Sequence, residues 1–362
     1  MTPDSQTLWL FLSLFFALFL QPGFLLLQTG FSRANTVVSV LMKNFTVFSL
    51  GGLVFFFVGY SLLFSPGPNL LHMGGWVRPH SDGELLRALF ETVLAVLPAG
   101  IVLGAIAGRT RFAAFVIFGI LVSAFLYPAA AKWVSNGWLA RLGFHDFAGG
   151  TAIHSLAGWL ALAGVIVVGP RLGKFGPDKK PRAMPGHHIL IAGLGLFFLW
   201  IGLLGVLSGR MSDPHKLGSL LVNGHLSGAA GAVSALVFSW ILARKPDPSL
   251  TLNGAIGGLV AIAAGADLFS PEASLVIGLA AGLIIAAGVI FFESVLHLDD
   301  PVGVVSIHAL AGTWGTLAVG LFGPSGLFHG GGFHTLLIQA IGAGAVALWG
   351  LVLGLVVFFI LS

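Results

Sequence analysis

Two histidines in matching surroundings raise the chemical question. His154 lies in Asp146-Phe-Ala-Gly149-Gly-Thr-Ala-Ile153-His154-Ser-Leu156-Ala157-Gly158, and His308 in Asp300-Pro-Val-Gly303-Val-Val-Ser-Ile307-His308-Ala-Leu310-Ala311-Gly312. In one unbroken register the stretches agree at seven positions: Asp, Gly, Ile, His, Leu, Ala and Gly. Each imidazole falls about two turns into an apolar segment, where an ionisable group is costly and is a functional hypothesis by default. A neutral imidazole donates from one ring nitrogen and accepts at the other, so a pair can line a path for a small polar molecule without fixing a charge there. The plainer alternative is that each His bonds only a neighbouring helix. No carboxylate or third ligand stands at metal-ligand spacing, so no metal is expected. No nucleophile–base pair, phosphate loop or cofactor motif points to an enzyme. Asp146 and Asp300 stand where helices would start, suited to capping free N–H groups at a positive dipole end. For Asp146 the further reading is support of a cation site on the outer side.

The elements that carry these groups follow from composition. The chain has 362 residues, 57% hydrophobic and 8% charged, with mean hydropathy +0.99. Soluble domains carry roughly 25% charged residues, which excludes an ordinary globular or a disordered protein. The 17 Lys and Arg are too few for a nucleic-acid surface, despite a pI near 9.7. Gly is high at 52, as expected where helices pack closely in lipid. The absence of Cys excludes disulfides and thiolate chemistry. Apolar runs of about 20 residues without alternation predict membrane-spanning helices rather than barrel strands.

Eleven spans are expected, at 8–28, 45–65, 86–107, 112–131, 147–169, 188–208, 218–242, 252–270, 273–294, 302–322 and 335–361. The first is long, holds Pro22-Gly23 and lacks a basic start, unlike a cleavable signal. With the N-terminus outside, the inner loops hold eleven Lys and Arg against six outside, which favours N-out, C-in. The His154 stretch then opens span five from outside, and the His308 stretch opens span ten from inside. That predicts two inverted five-helix repeats plus one extra helix, an all-α polytopic membrane protein. A two-fold axis in the membrane plane would bring His154 and His308 together near the midplane. The single membrane domain of 1–362 divides into repeat one (about 8–169), an inner linker (170–187), repeat two (about 188–322) and the extra helix (335–361).

Further segments fall in a recognisable order. Pro22-Gly23, Gly30, Arg33, Asn35 and Leu41-Met42-Lys-Asn44-Phe45 come first, followed by Gly59-Tyr60-Ser61 and Gly104-Ala105 through Arg109, Arg111 and Phe112. Then come the two His stretches and, between them, Leu252-Asn253-Gly254-Ala255 with Gly258-Leu259-Val260. Together these resemble the ammonium transporter (Amt/Rh) family over nearly the whole chain. The resemblance implies an eleven-helix protomer, a homotrimer, and a narrow hydrophobic pore through each subunit lined by the twin His154 and His308. It also implies an outer site where an aromatic cage and a Ser hydroxyl collect ammonium, two Phe rings closing the mouth, and Asp146 supporting the entry. No cofactor is implied. The membrane would be the plasma membrane, the inner membrane in a bacterium.

Against that pattern the mouth departs. The outer gate Phe becomes Leu94, with Phe90 one turn earlier; a Trp on span six becomes Leu203, the second gate Phe becomes Val206, and the recruiting Ser falls at Arg210. Trp133 or Trp138 could supply the cage Trp, and Trp133 has the better spacing. Leu and Val offer no π face to a cation, and Arg210 repels one unless a carboxylate such as Asp213 neutralises it. Leu94 and Val206 could still pack as a dry plug, and His225, after Asn223, could offer a replacement polar group.

Three readings stand. One is transport of ammonium or ammonia. Another is a membrane sensor that binds ammonium and signals to a fused or separate cytoplasmic protein, motivated by the altered mouth and a chain that ends with its last span. The third is a Rh-like pore for a neutral gas.

Overall fold

The computed structural model describes residues 3–66, 77–211 and 213–362. Among them there is no strand, only one isolated bridge, Phe175 to Pro181, in the 170–187 linker. In chain order the helices are α1 (Gln6–Phe31), α2 (Ala34–Phe64), α3 (Asp82–Ile106), α4 (Phe112–Arg141), α5 (Gly150–Val168), α6 (Ile189–Gly209), α7 (Pro214–Ala243), α8 (Pro248–Ile262), α9 (Pro271–Val295), α10 (Val305–His329) and α11 (His334–Leu361). Ten of these are long and apolar enough to cross a membrane; α8, with 15 residues, is the shorter apolar one. The protein is an all-helical, multi-pass membrane protein.

Side-chain placement agrees with lipid as the solvent. Phe57, Phe197, Trp240, Ile241, Leu348 and Phe359 are exposed, which would be costly around a water-facing bundle. The middle is held by α3, α5, α8 and α10. Every residue from Leu97 to Ile106 in α3 and from Asn253 to Ile262 in α8 is buried. Around them α6 packs on α1, α7 on α8 and α9, and α5 on α10, α11 and the second half of α3.

Local chemistry explains the irregular points. Pro22 lacks an N–H, and its ring crowds the carbonyl four residues back, and α1 is interrupted at Leu18 and Phe19. Pro98 does the same to α3, which turns at Val96. The first turn of α3 carries a capping box: Ser81 accepts from the Glu84 N–H while the Glu84 carboxylate accepts from the Ser81 N–H.

The structure moves the start of α2 and the end of α4 well beyond the sequence reading. α2 begins at Ala34, not 45. Its first turns carry Asn35, Thr36, Ser39, Lys43 and Asn44, too polar to count as a span by hydropathy. Inside the fold the last two have partners: buried Lys43 donates to the Thr110 carbonyl at 2.7 Å, and Asn44 donates to Gln28, which in turn donates to the Gly100 carbonyl. α4 likewise runs past 131 to Arg141, carrying buried Lys132, whose Nζ donates to the Ser65 hydroxyl at 2.6 Å.

Candidate functional site

The two helices that begin with the repeated stretches meet at their first turns. Gly149 and Gly303 each take a left-handed conformation, with φ of 84° and 83°, which favours glycine. Behind each, an Asp carboxylate gathers the N–H groups of the next turn. Asp146 accepts from Thr151 at 3.1 Å and Ala152 at 2.9 Å; Asp300 accepts from Gly303 at 3.1 Å and Val305 at 2.7 Å. Burial pushes the Asp146 carboxyl above the usual carboxylate range, with its backbone bonds opposing the shift. Both helices open with one wide-wound turn, Gly150–Ser155 and Val305–Leu310, and each wide turn contains a histidine. Such π-type turns recur at functional sites.

These turns bring the imidazoles together edge to edge, nitrogen to nitrogen. His154 Nδ1 and His308 Nδ1 are 3.2 Å apart, with ring centres at 5.2 Å and planes 18° apart. Both side chains are buried. One Nδ1 must donate and the other accept, so the rings hold opposite tautomers, leaving one Nε2 as a donor and the other as an acceptor. The Phe24 ring lies 6.1 Å from His308. Two hydroxyl pairs cross the same seam, Thr151 with Thr316 at 2.7 Å and Ser155 with Thr313 at 3.2 Å. The glycines that close the two matching stretches permit this approach. A Cβ on Gly158 would fall against the backbone of Ala309 and His308, and one on Gly312 would lie 2.9 Å from the Ser155 nitrogen.

Towards the other end of α6 stands an ion pair. Arg210 donates through Nη1 and Nη2 to the two oxygens of Glu91, at 2.6 and 2.8 Å, and its guanidinium carbon lies 5.8 Å from the Phe90 ring centre. Burial opposes the Arg210 charge, but Glu91, with Tyr127 and Asp146 at longer range, holds its pKa above the ordinary arginine value. The neutralising carboxylate is therefore Glu91 and not Asp213, whose side chain caps its own short turn by accepting from the His215 N–H. Leu94, Leu203 and Val206 are buried in the main core. Trp133 stacks edge-on with Trp138 and Trp349, at 6.0 and 4.9 Å, in a cluster on α4 and α11. Among the described residues neither Trp133 nor Trp138 has a ring contact with Phe90. His225 is exposed and lies against Trp200 at 5.4 Å, while its neighbour Asn223 is buried and donates to the Ala266 and Phe269 carbonyls. No group of three His, Asp or Glu among the described residues could hold a metal.

With this geometry in place, the relatives decide the family. The family model described as Ammonium Transporter Family matches residues 8–362. This chain belongs to the ammonium transporter family. That family comprises transporters and channels, not enzymes. The chain is similar to the ammonium transporter Amt2 of Archaeoglobus fulgidus, with 36% identity covering 98% of this chain and 82% of that protein. It is 35% identical to a putative ammonium transporter of Synechocystis, over 99% of this chain and 83% of that one. Among solved structures, one titled Sensor Amt Protein superposes with a TM-score of 0.91 at 32% identity, covering 98% of this chain and 92% of that one. Mep2 of Candida albicans superposes with a TM-score of 0.87 at 25% identity, over 98% of this chain and 83% of that one.

The site contains groups that the sequence reading passed over. Glu91 was a readable signal, since an acid within an apolar span is a functional hypothesis by default. Phe24, Tyr127 and the Ser155–Thr313 pair had no such signal: residues of those types are common in spans, and their partners lie far away in the chain.

Proposed function

We propose that this member of the ammonium transporter family conducts ammonium or ammonia across the membrane past the His154–His308 pair. The observation that carries the proposal is the 3.2 Å approach of two buried imidazoles on α5 and α10. A bare NH4+ in a hydrocarbon interior costs several kcal/mol or more, so a route that passes NH3 beside neutral donors and acceptors avoids most of that cost. The opposite tautomers offer an acceptor to an N–H and a donor to the nitrogen lone pair. Asp146 supports the site by fixing the first turn of α5, two turns from His154 in sequence. Leu94, Leu203 and Val206 form a dry outer constriction with Phe90 above it, and Trp133 does not serve as a cage wall.

In this reading α8 completes eleven crossings. It is short because the chain after it, Ala263 and Ala264, unwinds within protein and accepts from the N–H groups of Ala148 and Phe147; irregular backbone at membrane depth is tolerated where it is covered. The N-terminus is outside and the C-terminus inside, α1–α5 and α6–α10 are inverted repeats within one domain, and α11 is the addition. The assembly is a homotrimer in the plasma membrane, the inner membrane in a bacterium.

A second reading, that the protein binds ammonium without conducting it and signals to a fused or separate cytoplasmic protein, is favoured by two observations. The mouth is occupied by Arg210 and Glu91, and the fold matches a structure titled as a sensor. Ammonium pulses on purified protein in a supported bilayer, beside calorimetry in detergent, separate the two. A saturable current supports conduction. Binding heat with no current supports the sensor. Neither signal would overturn both and leave a neutral gas as the substrate to test.

A further inference from the structure

A cavity of about 480 Å³ lies between the start of α1, the outer turns of α3 and the end of α6, with Trp9, Arg87, Phe90, Glu91 and Arg210 in its wall. Glu91 lies on a membrane-spanning helix with only 3% of its side chain exposed. A buried carboxylate beside an aromatic face offers what a small desolvated cation requires, namely opposite charge, acceptor oxygens and a π surface. In this structure the cation on it is the protein's own. The Arg210 guanidinium takes both Glu91 oxygens and lies over Phe90, while its Nε is buried without a hydrogen-bond partner. Arg210 stands one residue beyond the end of α6, with 27% of its side chain exposed. The guanidinium is thus a tethered ligand that lines the cavity from its seat. Arg87 adds a second positive charge to the same wall, and Asp146 acts on Arg210 at longer range. While Arg210 is seated, the wall carries two positive charges and one negative, which repels an incoming cation.

We infer that Glu91 and Phe90 form a binding site for a small cation that the protein fills with its own Arg210, so that free guanidinium or ammonium binds there only in place of that side chain. From the proposed function this takes only that small cations arrive at this mouth. A tethered group acts at an effective concentration of order millimolar or higher, and the apparent affinity for a free cation falls by the fraction of time the site stands vacant. Removing the tethered group exposes the site. Arg210 is therefore a specificity-determining residue: while it is seated, neither free guanidinium nor ammonium reaches Glu91.

The test is chemical rescue of the full chain in detergent, read by thermal melting in guanidinium chloride, ammonium chloride and sodium chloride at equal ionic strength. Arg210→Ala melts below wild type, and guanidinium and then ammonium restore it while sodium does not. At ten times the dissociation constant, linkage raises the folded-to-unfolded ratio about 11-fold. Wild type shows no such gain, and Glu91→Gln/Arg210→Ala loses it. If Arg210→Ala does not fold, Arg210→Lys keeps a charge opposite Glu91 with a weaker, single-point grip, and guanidinium must raise its melting point more than it raises that of wild type. A response in Arg210→Ala equal to wild type, or one that persists in the double variant, overturns the inference. Because the readout is binding, rescue in a protein that passes no current retains this site and removes conduction. Absent rescue beside a histidine-dependent current does the reverse.

Discussion

Gly158→Ala tests whether the helix crossing sets the histidine geometry. The added Cβ would fall nearest the Ala309 backbone nitrogen, and would stand 2.5 Å from both the Ala309 Cα and the His308 carbonyl carbon, where ordinary contact begins at 3.4 Å. All of these atoms are backbone, so no side chain can swing aside; α5 and α10 must part by more than about 0.9 Å. His308 is carried on the displaced segment, and an Nδ1 separation of 3.2 Å opens past about 4 Å, beyond hydrogen-bonding reach. Overpacking of this kind costs about 1–3 kcal/mol, and leaving one buried ring nitrogen unpaired costs about 1–3 kcal/mol more. The expected variant is folded, melts lower by a few degrees, and loses ammonium-driven current by at least about tenfold. Combined with His308→Ala, it should lower the current no further, because both changes act on one contact. Melting in detergent and current in a supported bilayer are the assays. A Gly158→Ala protein with wild-type melting and wild-type current would refute the link between the crossing and the pair.

Two further outcomes concern groups outside the spans. Burial alone would raise the Asp299 carboxyl, but the backbone and guanidinium of Arg171, with Arg109 nearby, hold it below the usual range. A depressed folded pKa stabilises above the unfolded value of about 3.9 and is lost as pH falls through the folded one. Asp299→Asn should therefore cost about 3 kcal/mol at neutral pH and flatten the stability profile below about pH 4; an unchanged acid limb in urea titrations would contradict this. His145 behaves oppositely: burial lowers its pKa, but the 2.9 Å bond to Asp267 outweighs that and raises it. Its contribution is complete below the unfolded value of about 6.5 and fades as pH rises through the folded pKa. His145→Gln should remove that alkaline slope in melting scans, and a slope equal to wild type would count against it.

Much of the helix count was legible because lipid demands long apolar segments, and ten of the helices satisfy that by length and hydropathy. α2 was cut short in the reading because Lys43, Asn44 and their neighbours register as polar. Only the fold supplies Thr110, Gln28 and the carbonyls that satisfy them. The repeat put His154 and His308 at equivalent positions, and the structure sets their rings in contact. The mouth was harder. Arg210 could be seen in the sequence, but its partner lies 119 residues away on another helix, and no periodicity pairs two such residues. Asp213 was the nearer acid in sequence and the wrong one. Trp133 had suitable spacing for a cage, yet α11 offers it Trp349 instead, a contact that rests on how α11 packs.

The most direct measurement is the ammonium-pulse current, with the accompanying pH change in liposomes, for wild type and His154→Ala/His308→Ala side by side. The account predicts a saturable wild-type signal and its loss or altered proton coupling in the double variant, with both proteins folded and inserted to the same extent. A double variant whose current and pH response match wild type would show that ammonium does not pass these imidazoles, and would contradict the account.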